Sequence, residues 1–430
     1  YGPVAYLWIV FGCIFAGAVH DYLSGMLSMR HGGVGLPELV GKYLGNTTKN
    51  VMLVFSVLLL VMVGVVFVYS PAIILEGIYG SRMWWIVAIF VYYIIATLLP
   101  IDKIIGKIYP LFAFSLLFMA FALLIGFFVK LPDIPELWSN LSDCNYNDNT
   151  AWLGTDSFMT KNPIFPCLFI TIACGAISGF HATQSPLMAR CVKHEKMGRP
   201  IFYGAMITEG VVALIWATAS MYFFYYGGWR EVVGAETVNK FMQQYGTEGG
   251  KTLVQFFDAP TVVKYICSGW LGMFGGILAL LGVVAAPITS GDTAFRSARL
   301  IIAEFLDLEQ HSLRKRLYIC IPVFAAGLLL LFWQMNNPNG FNIIWQYFGW
   351  ANQTLSVFTL WTITVYLVQQ KKPFIVTLIP AVFMTVVCST FLLISKQAFG
   401  LNDTIAYTGS VVVLVLSLAL FFVWYTKKMK

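Results

Sequence analysis

The chain has 430 residues, of which 59% are hydrophobic and only 11% are charged. Water-soluble domains carry roughly 25% charged residues, so this composition excludes a soluble fold. The net charge of +7 does not indicate nucleic-acid binding. A phosphate-binding surface needs a solvated basic face, whereas these Lys and Arg residues lie in short loops between apolar runs.

The apolar residues form eleven segments, each long enough to cross the roughly 30 Å hydrocarbon core of a bilayer. The sequence therefore predicts an all-α polytopic membrane protein with about eleven transmembrane helices in one transporter domain, 1–430. Because the chain begins inside an apolar run, we expect this domain to be incomplete at its N-terminus. The predicted segments are 3–20, 50–79, 84–100, 109–129, 163–181, 201–226, 260–288, 317–334, 341–369, 374–394 and 405–426.

The basic residues predict how these segments are oriented. When the loops are assigned alternately to two sides, 19 of the 27 Lys and Arg residues fall on one side and 8 on the other. The positive-inside rule makes the first side cytoplasmic, which places the C-terminus inside. The two long loops, 130–162 and 227–259, then lie outside. Their Trp138, Trp152 and Trp229 could anchor the chain at the membrane interface or cover an outer entrance.

The chemistry of soluble enzymes is not indicated. The eight cysteines contain no C-x-x-C spacing, and the chain has no Walker loop, H-E-x-x-H motif or G-x-S-x-G elbow. The sequence therefore predicts a protein that is not an enzyme and holds no cofactor and no metal. Polar groups inside the apolar segments are better indicators of function, because burying them in lipid is costly unless they are paired or hydrated.

The first two segments each carry such groups. His20 and Asp21 end the first segment, where they could line a cavity or simply mark the cytoplasmic interface. Ser70 and Pro71 lie late in the second segment. Proline removes a backbone N–H group, so this position could be a helix end near a transport path or an ordinary kink.

The fifth segment ends in a dense polar stretch. Its candidates for substrate contact are Thr183, Gln184 and Ser185, and His181 is a candidate for proton or ion coupling. Small and helix-breaking residues flank them, including Gly175, Gly179 and Pro186. This pattern favours a discontinuous helix over close packing by small residues alone.

Three further segments add candidates. Glu209 lies among apolar residues of the sixth segment, where it either couples protons or makes a static hydrogen bond. The seventh segment runs into Pro287, which we expect to break the helix next to Thr289, Ser290 and Asp292. Asn352 and Gln353 lie inside an aromatic helix, either as substrate contacts or as hydrogen-bonding partners between helices.

Five collinear stretches of this chain are GAVHDYLSGMLSMRHGG, ACGAISGFHATQSP, GAMITEGVVALIWA, PITSGDTAFRSARLIIAE and FGWANQTLSVFTLW. In these stretches the chain resembles the carbon starvation (CstA-type) transporter family. The resemblance implies a bacterial plasma-membrane carrier for peptides or pyruvate that is driven by protons. It also implies kinship with amino acid–polyamine–organocation carriers, whose core is an inverted repeat of helices. Family members carry an upstream Gly-rich hydrophobic stretch that these residues lack.

The resulting hypothesis is a secondary active transporter that works by alternating access on a small solute and a coupling ion, with the proton favoured. The substrate candidates are Ser70, Thr183, Gln184, Ser185, Thr289, Ser290, Asn352 and Gln353, and the coupling candidates are His20, Asp21, His181, Glu209 and Asp292. Two alternatives stay open. One is a sodium-coupled amino-acid carrier of the same fold, and the other is an intramembrane metal-dependent enzyme that uses His20, Asp21 and His181.

Overall fold

The computed structural model describes residues 2–98, 105–137, 163–224, 227–245, 256–257, 259–310, 312–337 and 339–429. All regular structure within these ranges is helical. The helices are α1 Val4–Arg30, α2 Leu36–Leu44, α3 Asn46–Glu76, α4 Arg82–Leu98, α5 Ile105–Lys130, the short turns Ile164–Leu168 and Phe169–Thr171 (together α6), α7 Gly179–Ala189, α8 Glu195–Phe224, α9 Trp229–Val232, α10 Ala235–Tyr245, α11 Ala259–Phe305, α12 Leu313–Asn336, α13 Gly340–Gln369, α14 Ile375–Ile394 and α15 Asp403–Met429.

The predicted polytopic membrane architecture is confirmed. Among the described residues, eight helices are long and apolar enough to cross a membrane, and they lie in α1, α3, α5, α8, α11, α12, α14 and α15. Helix α4 is apolar but has only 17 residues. Helix α13 has 30 residues and carries the predicted polar pair Asn352 and Gln353. The predicted segment 163–181 is not one helix, because it ends at Thr171 and the chain resumes as α7.

The prediction of discontinuous helices is confirmed, because two of the predicted segments, 163–181 and 260–288, are interrupted. The breaks do not fall at Pro186 or Pro287, which lie inside helices, as does Pro71. One interruption is the non-helical stretch 172–178, which separates α6 from α7. The other lies within α11 at Gly272, whose φ of 67° is open to glycine and costly for other residues. A proline removes only one helical hydrogen bond, which a neighbouring group can replace.

The interior has two main apolar regions. On one side, α3 and α11 pack along each other and against α4, α12 and α13. On the other, α5, α8 and the first half of α11 enclose aromatic residues of the segment 227–257. Trp229 is fully buried there against Phe241 and Phe257, so the structure gives it a packing role rather than a place at the lipid interface. Trp138 and Trp152 lie outside the described residues.

Candidate functional site

Helix α1 carries the first two polar candidates well inside its length. Asp21 lies nine residues before Arg30, the last residue of this helix. At 1.5 Å per residue it is therefore about 14 Å from that helix end. His20 is fully buried and Asp21 is 4% exposed. Neighbouring helices therefore enclose both side chains.

The local backbone of α1 explains why these side chains meet the interrupted segment. Residues Trp8–Gly17 form a wider π-helical stretch that ends three residues before His20. At Gly17, a Cβ atom would lie 2.2 Å from the carbonyl oxygen of Ala176. Only glycine permits this approach, which brings α1 directly onto the non-helical stretch 172–178.

His181 joins two carboxylates from two other helices. Its Nδ1 atom lies 2.6 Å from Oδ2 of Asp21 on α1, and its Nε2 atom lies 2.8 Å from Oε2 of Glu209 on α8. His181 itself is in the first turn of α7, three residues after Ser178 ends the interruption. The three predicted coupling candidates, Asp21, His181 and Glu209, therefore form one continuous cluster, which we call the trio.

The hydrogen-bond geometry sets the smallest number of protons that the trio holds. A neutral imidazole has one donor and one acceptor nitrogen, whereas an imidazolium has two donors. If His181 is protonated, it donates to both carboxylates and the trio carries one negative charge. If His181 is neutral, one carboxyl group must be protonated to donate to it, and the net charge is the same. One further proton makes the trio electrically neutral.

His20 extends the trio by a contact that the sequence did not predict. Adjacent helical residues point in different directions, yet Nδ1 of His20 lies 2.8 Å from Oδ1 of Asp21. The two oxygens of Asp21 thus bind two different histidines. The Nε2 atom of His20 is buried and has no hydrogen-bond partner. A buried ring nitrogen without a partner is costly, which makes this atom available to a ligand or water.

The surroundings of Glu209 differ from the sequence expectation. The apolar neighbours along the chain suggested a buried carboxyl group, but the Glu209 side chain is 35% exposed and its partner is His181. His181 is 25% exposed. The side chains of Glu209 and His181 are therefore more accessible than that of Asp21, which is 5% exposed.

Asn352 and Gln353 bind the interrupted segment. Oδ1 of Asn352 accepts hydrogen bonds from the backbone N–H of Phe180 at 2.6 Å and from the hydroxyl of Ser178 at 3.3 Å. The Nε2 group of Gln353 donates to the carbonyl of Ile177 at 3.2 Å. The contacts to Phe180 and Ile177 satisfy backbone groups that the interruption leaves without a helical partner. The pair thus holds the start of α7 against α13.

The polar stretch of α7 contacts two different helices. The hydroxyl of Ser185 donates to the carbonyl of His181 at 3.0 Å and lies 3.3 Å from the hydroxyl of Ser24 on α1. Oε1 of Gln184 accepts from Ser297 on α11 at 3.2 Å. Thr183 donates to the carbonyl of Phe180 at 2.6 Å. These residues lie two to four positions after His181, so they are close to the trio.

The candidates on α3 and α11 lie elsewhere. Asp292 is fully buried and pairs with Arg296 at 2.7 Å, so it belongs to a separate cluster. Thr289 donates to the carbonyl of Ala286, and its neighbour Ser290 is half-buried. Ser70 is half-buried in the continuous helix α3. The structure thus unites four of the five coupling candidates, His20, Asp21, His181 and Glu209, and separates Asp292 from them.

The metal-dependent alternative needs His20, Asp21 and His181 to be arranged around a metal ion. In the ranges that the structure describes, no group of three or more His, Cys, Asp or Glu side chains is arranged to hold a metal ion. Three ring nitrogens of His20 and His181 already face carboxylate oxygens.

One feature that sequence reasoning missed lies at the Arg30 end of α1. Arg30 donates to both carboxylate oxygens of Glu195, at 3.1 and 3.3 Å, and to the hydroxyl of Tyr366 at 3.0 Å. Nearby, Arg190 donates to the carbonyl of Gly33 at 2.9 Å. These contacts join the ends of α1, α7, α8 and α13 on the side of the trio where Arg30 lies. Only the position of Arg30 in a basic loop hinted at them.

The described geometry can be compared with known proteins. A sequence model of the family described as "Carbon starvation protein CstA" matches residues 1–74 and 66–391. A membrane protein of Haemophilus influenzae is 46% identical over 266 residues, which cover 52% of this chain and 71% of that protein. The Campylobacter jejuni protein named peptide transporter CstA is 24% identical, over 88% of this chain and 67% of its own length.

Two further likenesses concern transporters. The Escherichia coli protein named pyruvate/proton symporter BtsT is 24% identical, over 90% of this chain and 69% of its own length. Among solved structures, a manganese transporter of Eremococcus coleocola superposes with a TM-score of 0.51 at 11% identity, covering 98% of this chain and 88% of that one. At that identity the superposition shows a shared fold and nothing further.

Proposed function

Because the chain belongs to the carbon starvation protein CstA family, we propose that it is a secondary active transporter of the bacterial inner membrane. It couples proton entry through the trio to the import of a small nutrient. The single observation that carries this proposal is the position of His181 between Asp21 and Glu209, beside an interrupted helix. We place this cluster inside the membrane because α1 is long and apolar enough to span it. Ionisable groups inside a membrane are rare unless they serve ion or proton movement.

The charge of the trio suggests how coupling works. With its minimum of one shared proton the trio is anionic, and a charge at mid-membrane is costly to move through a low-dielectric barrier. Binding one further proton removes that charge. We propose that the proton-loaded, neutral trio permits the change between outward-open and inward-open states, whereas the anionic trio does not. Proton movement and substrate movement are then linked.

The interrupted helix supports alternating access at the same place. Transporters with discontinuous helices bind substrate and coupling ions where the helix is broken, near the membrane midplane. Here α7 begins at the interruption and carries His181, Thr183, Gln184 and Ser185. We propose that a rigid-body movement of this element relative to α1 and α8 opens and closes the site, since its contacts to both helices are made by polar side chains.

The substrate is proposed to be a peptide or pyruvate, the two solutes named for the relatives. Both carry a carboxylate and carbonyl oxygens, so they need hydrogen-bond donors. Thr183, Gln184 and Ser185 stay our candidates for these contacts. The unpartnered Nε2 of buried His20 is an acceptor while its Nδ1 donates to Asp21, so it suits a peptide N–H group or a water molecule. The secondary candidates are Ser70, Thr289, Ser290, Asn352 and Gln353. Asn352, Gln353 and Thr289 already hydrogen-bond to backbone groups.

Uptake by purified protein in liposomes tests the proposal. Radiolabelled pyruvate and a dipeptide are compared with and without an inward proton gradient at constant sodium. We expect one of the two to accumulate only with the proton gradient. Accumulation driven by a sodium gradient at symmetric pH would instead identify the sodium-coupled carrier, and absence of any gradient-driven uptake of either solute would contradict the proposal.

A further inference from the structure

A second polar cluster lies at the junction of α4, α11 and α12, apart from the trio. Three arginines contribute to it, Arg296 and Arg299 on α11 and Arg316 at the start of α12. The only carboxylate paired with any of them in the described part of the chain is Asp292, bound to Arg296. Three positive charges against one negative charge leave two guanidinium groups without a paired carboxylate among the residues that the structure describes.

Neutral groups occupy the contacts of these two guanidiniums. Arg299 donates to the side-chain oxygen of Gln310 at 2.8 Å. Arg316 donates to the backbone carbonyls of Gln310 at 2.6 Å and of Leu98 at 3.0 Å. Gln310 therefore stands between the two arginines. The adjacent acid in the chain, Glu309, pairs with Lys315 instead, at 3.5 Å.

Arg299 is buried, so the lack of a paired carboxylate among the described residues is unfavourable for its guanidinium group. Arg299 is only 7% exposed, and the Nε atoms of Arg299 and Arg296 are buried without hydrogen-bond partners. Uncompensated buried charge costs several kcal/mol, so such a group is expected to have a counter-charge. Planar guanidinium groups match phosphate and carboxylate oxygens, which accept two parallel hydrogen bonds.

The position of the cluster indicates where this anion comes from. Arg316 is the fourth residue of α12, next to exposed Arg314 and Lys315, on the side that the basic-residue pattern predicts to be cytoplasmic. The outer faces of α4 and α12 expose large apolar side chains, including Val91 at 47% and Ile321 at 63%. Basic pockets between membrane helices on this side suit the headgroups of anionic lipids.

We propose that Arg299, Arg316 and Arg296 form a binding site for a phosphate-bearing anion, supplied by the headgroup of an anionic phospholipid. The site lies between α4, α11 and α12 and is independent of the proposed transport activity. Phosphate oxygens accept hydrogen bonds from the free guanidinium donors and compete with the side chain of Gln310 for Arg299. The bound anion neutralises the junction and ties the start of α12 to α11.

Thermal unfolding of the purified protein in detergent tests the site. Phosphatidylglycerol, phosphatidylcholine and inorganic phosphate are titrated separately, and the midpoint of unfolding is measured. We expect phosphatidylglycerol to raise the midpoint in a saturable way and phosphatidylcholine not to do so. Stabilisation by inorganic phosphate alone would support the same site with a free anion as its ligand. Equal effects of the two lipids, with none from phosphate, would overturn the proposal.

Three variants locate the effect. Gln310→Glu supplies an internal carboxylate between Arg299 and Arg316, so it should raise the lipid-free midpoint and abolish the response to phosphatidylglycerol. Arg299→Gln should weaken the apparent affinity for that lipid at least about tenfold. Arg314→Gln, which removes an exposed arginine two residues from Arg316, is the control and should respond like wild type. If Arg299→Gln does not fold, Gln310→Glu decides, and a wild-type response in that variant would overturn the site.

Discussion

The Nε2 atom of His181 lies 2.8 Å from Oε2 of Glu209, although the two residues belong to helices separated by the loop that contains Arg190. On its other side the same imidazole contacts Asp21 of α1. One ring therefore bridges the partly exposed Glu209 and the shielded Asp21, which is the route that we propose for the proton.

This relationship predicts the behaviour of Glu209→Gln. The amide is uncharged and cannot release a proton, so with His181 protonated the trio has the neutral charge of its proton-loaded form. We expect uphill, pH-driven uptake to be abolished while substrate exchange across the membrane stays measurable, since exchange needs no net proton movement. Accumulation and exchange are measured in the same liposomes. The control is Glu236→Gln, which removes an exposed glutamate paired with Lys240 on α10. Wild-type accumulation by Glu209→Gln would make Glu209 structural.

Asp21→Asn should give the same uncoupling with a different pH dependence. This change leaves Glu209 as the only carboxylate beside His181, so the pair His181–Glu209 is neutral when His181 is protonated. We expect exchange by this variant to vary less with pH between 5 and 8 than exchange by wild type, because fewer protonation states are available. Exchange rates measured across symmetric pH values test this. A pH profile that coincides with the wild-type curve would show that Asp21 takes no part in proton coupling.

Asn352→Ala should weaken the structure around the interruption. The change removes the acceptor for the N–H of Phe180 and for the hydroxyl of Ser178. Leaving such buried donors without partners costs about 1–3 kcal/mol. We therefore expect a lower unfolding midpoint than in Gln346→Ala, which truncates an exposed residue of the same helix. Equal midpoints in the two variants would mean that Asn352 does not support the interruption and would favour a substrate role.

The ion pair between Arg30 and Glu195 should affect transport more than stability. Both side chains are about half exposed, at 47% and 53%, and such pairs contribute little to folding. They join the ends of α1 and α8, however, the two helices relative to which α7 moves in the proposed opening. We expect Arg30→Glu to change the uptake rate with an unchanged unfolding midpoint, and Arg30→Glu combined with Glu195→Arg to restore the rate. Failure of the double variant to recover would remove this pair from the opening mechanism.

The predicted topology can be tested by cysteine labelling of intact cells. In a background with Cys144→Ser and Cys191→Ser, Lys428→Cys should react with a membrane-impermeant maleimide only after permeabilisation. Lys396→Cys, in the exposed turn between α14 and α15, should react without it. Labelling of the Lys428→Cys tail in intact cells would reverse the orientation.

The sequence by itself determined the class of protein and the residues worth examining. Long apolar runs have one physical solution in a bilayer, which is the helix, because every backbone polar group must be satisfied within the segment. The same cost makes each polar residue inside a run conspicuous, so His20, Asp21, His181 and Glu209 could all be identified one by one. Composition and spacing are enough for both inferences, since neither depends on which helices are neighbours.

Only the tertiary structure decided how these residues combine. The partnership of His181 with Asp21 and Glu209 joins residues up to 188 positions apart in the chain, a separation over which local periodicity carries no information. The interruption falls at 172–178 rather than at Pro186, because Asn352 and Gln353 of a distant helix supply the missing hydrogen bonds there. Asp292 differs, because its partner Arg296 lies four residues further along the same helix, a local spacing that the sequence itself shows. Side-chain partners depend on which helix faces pack together, and that choice is made by the whole chain.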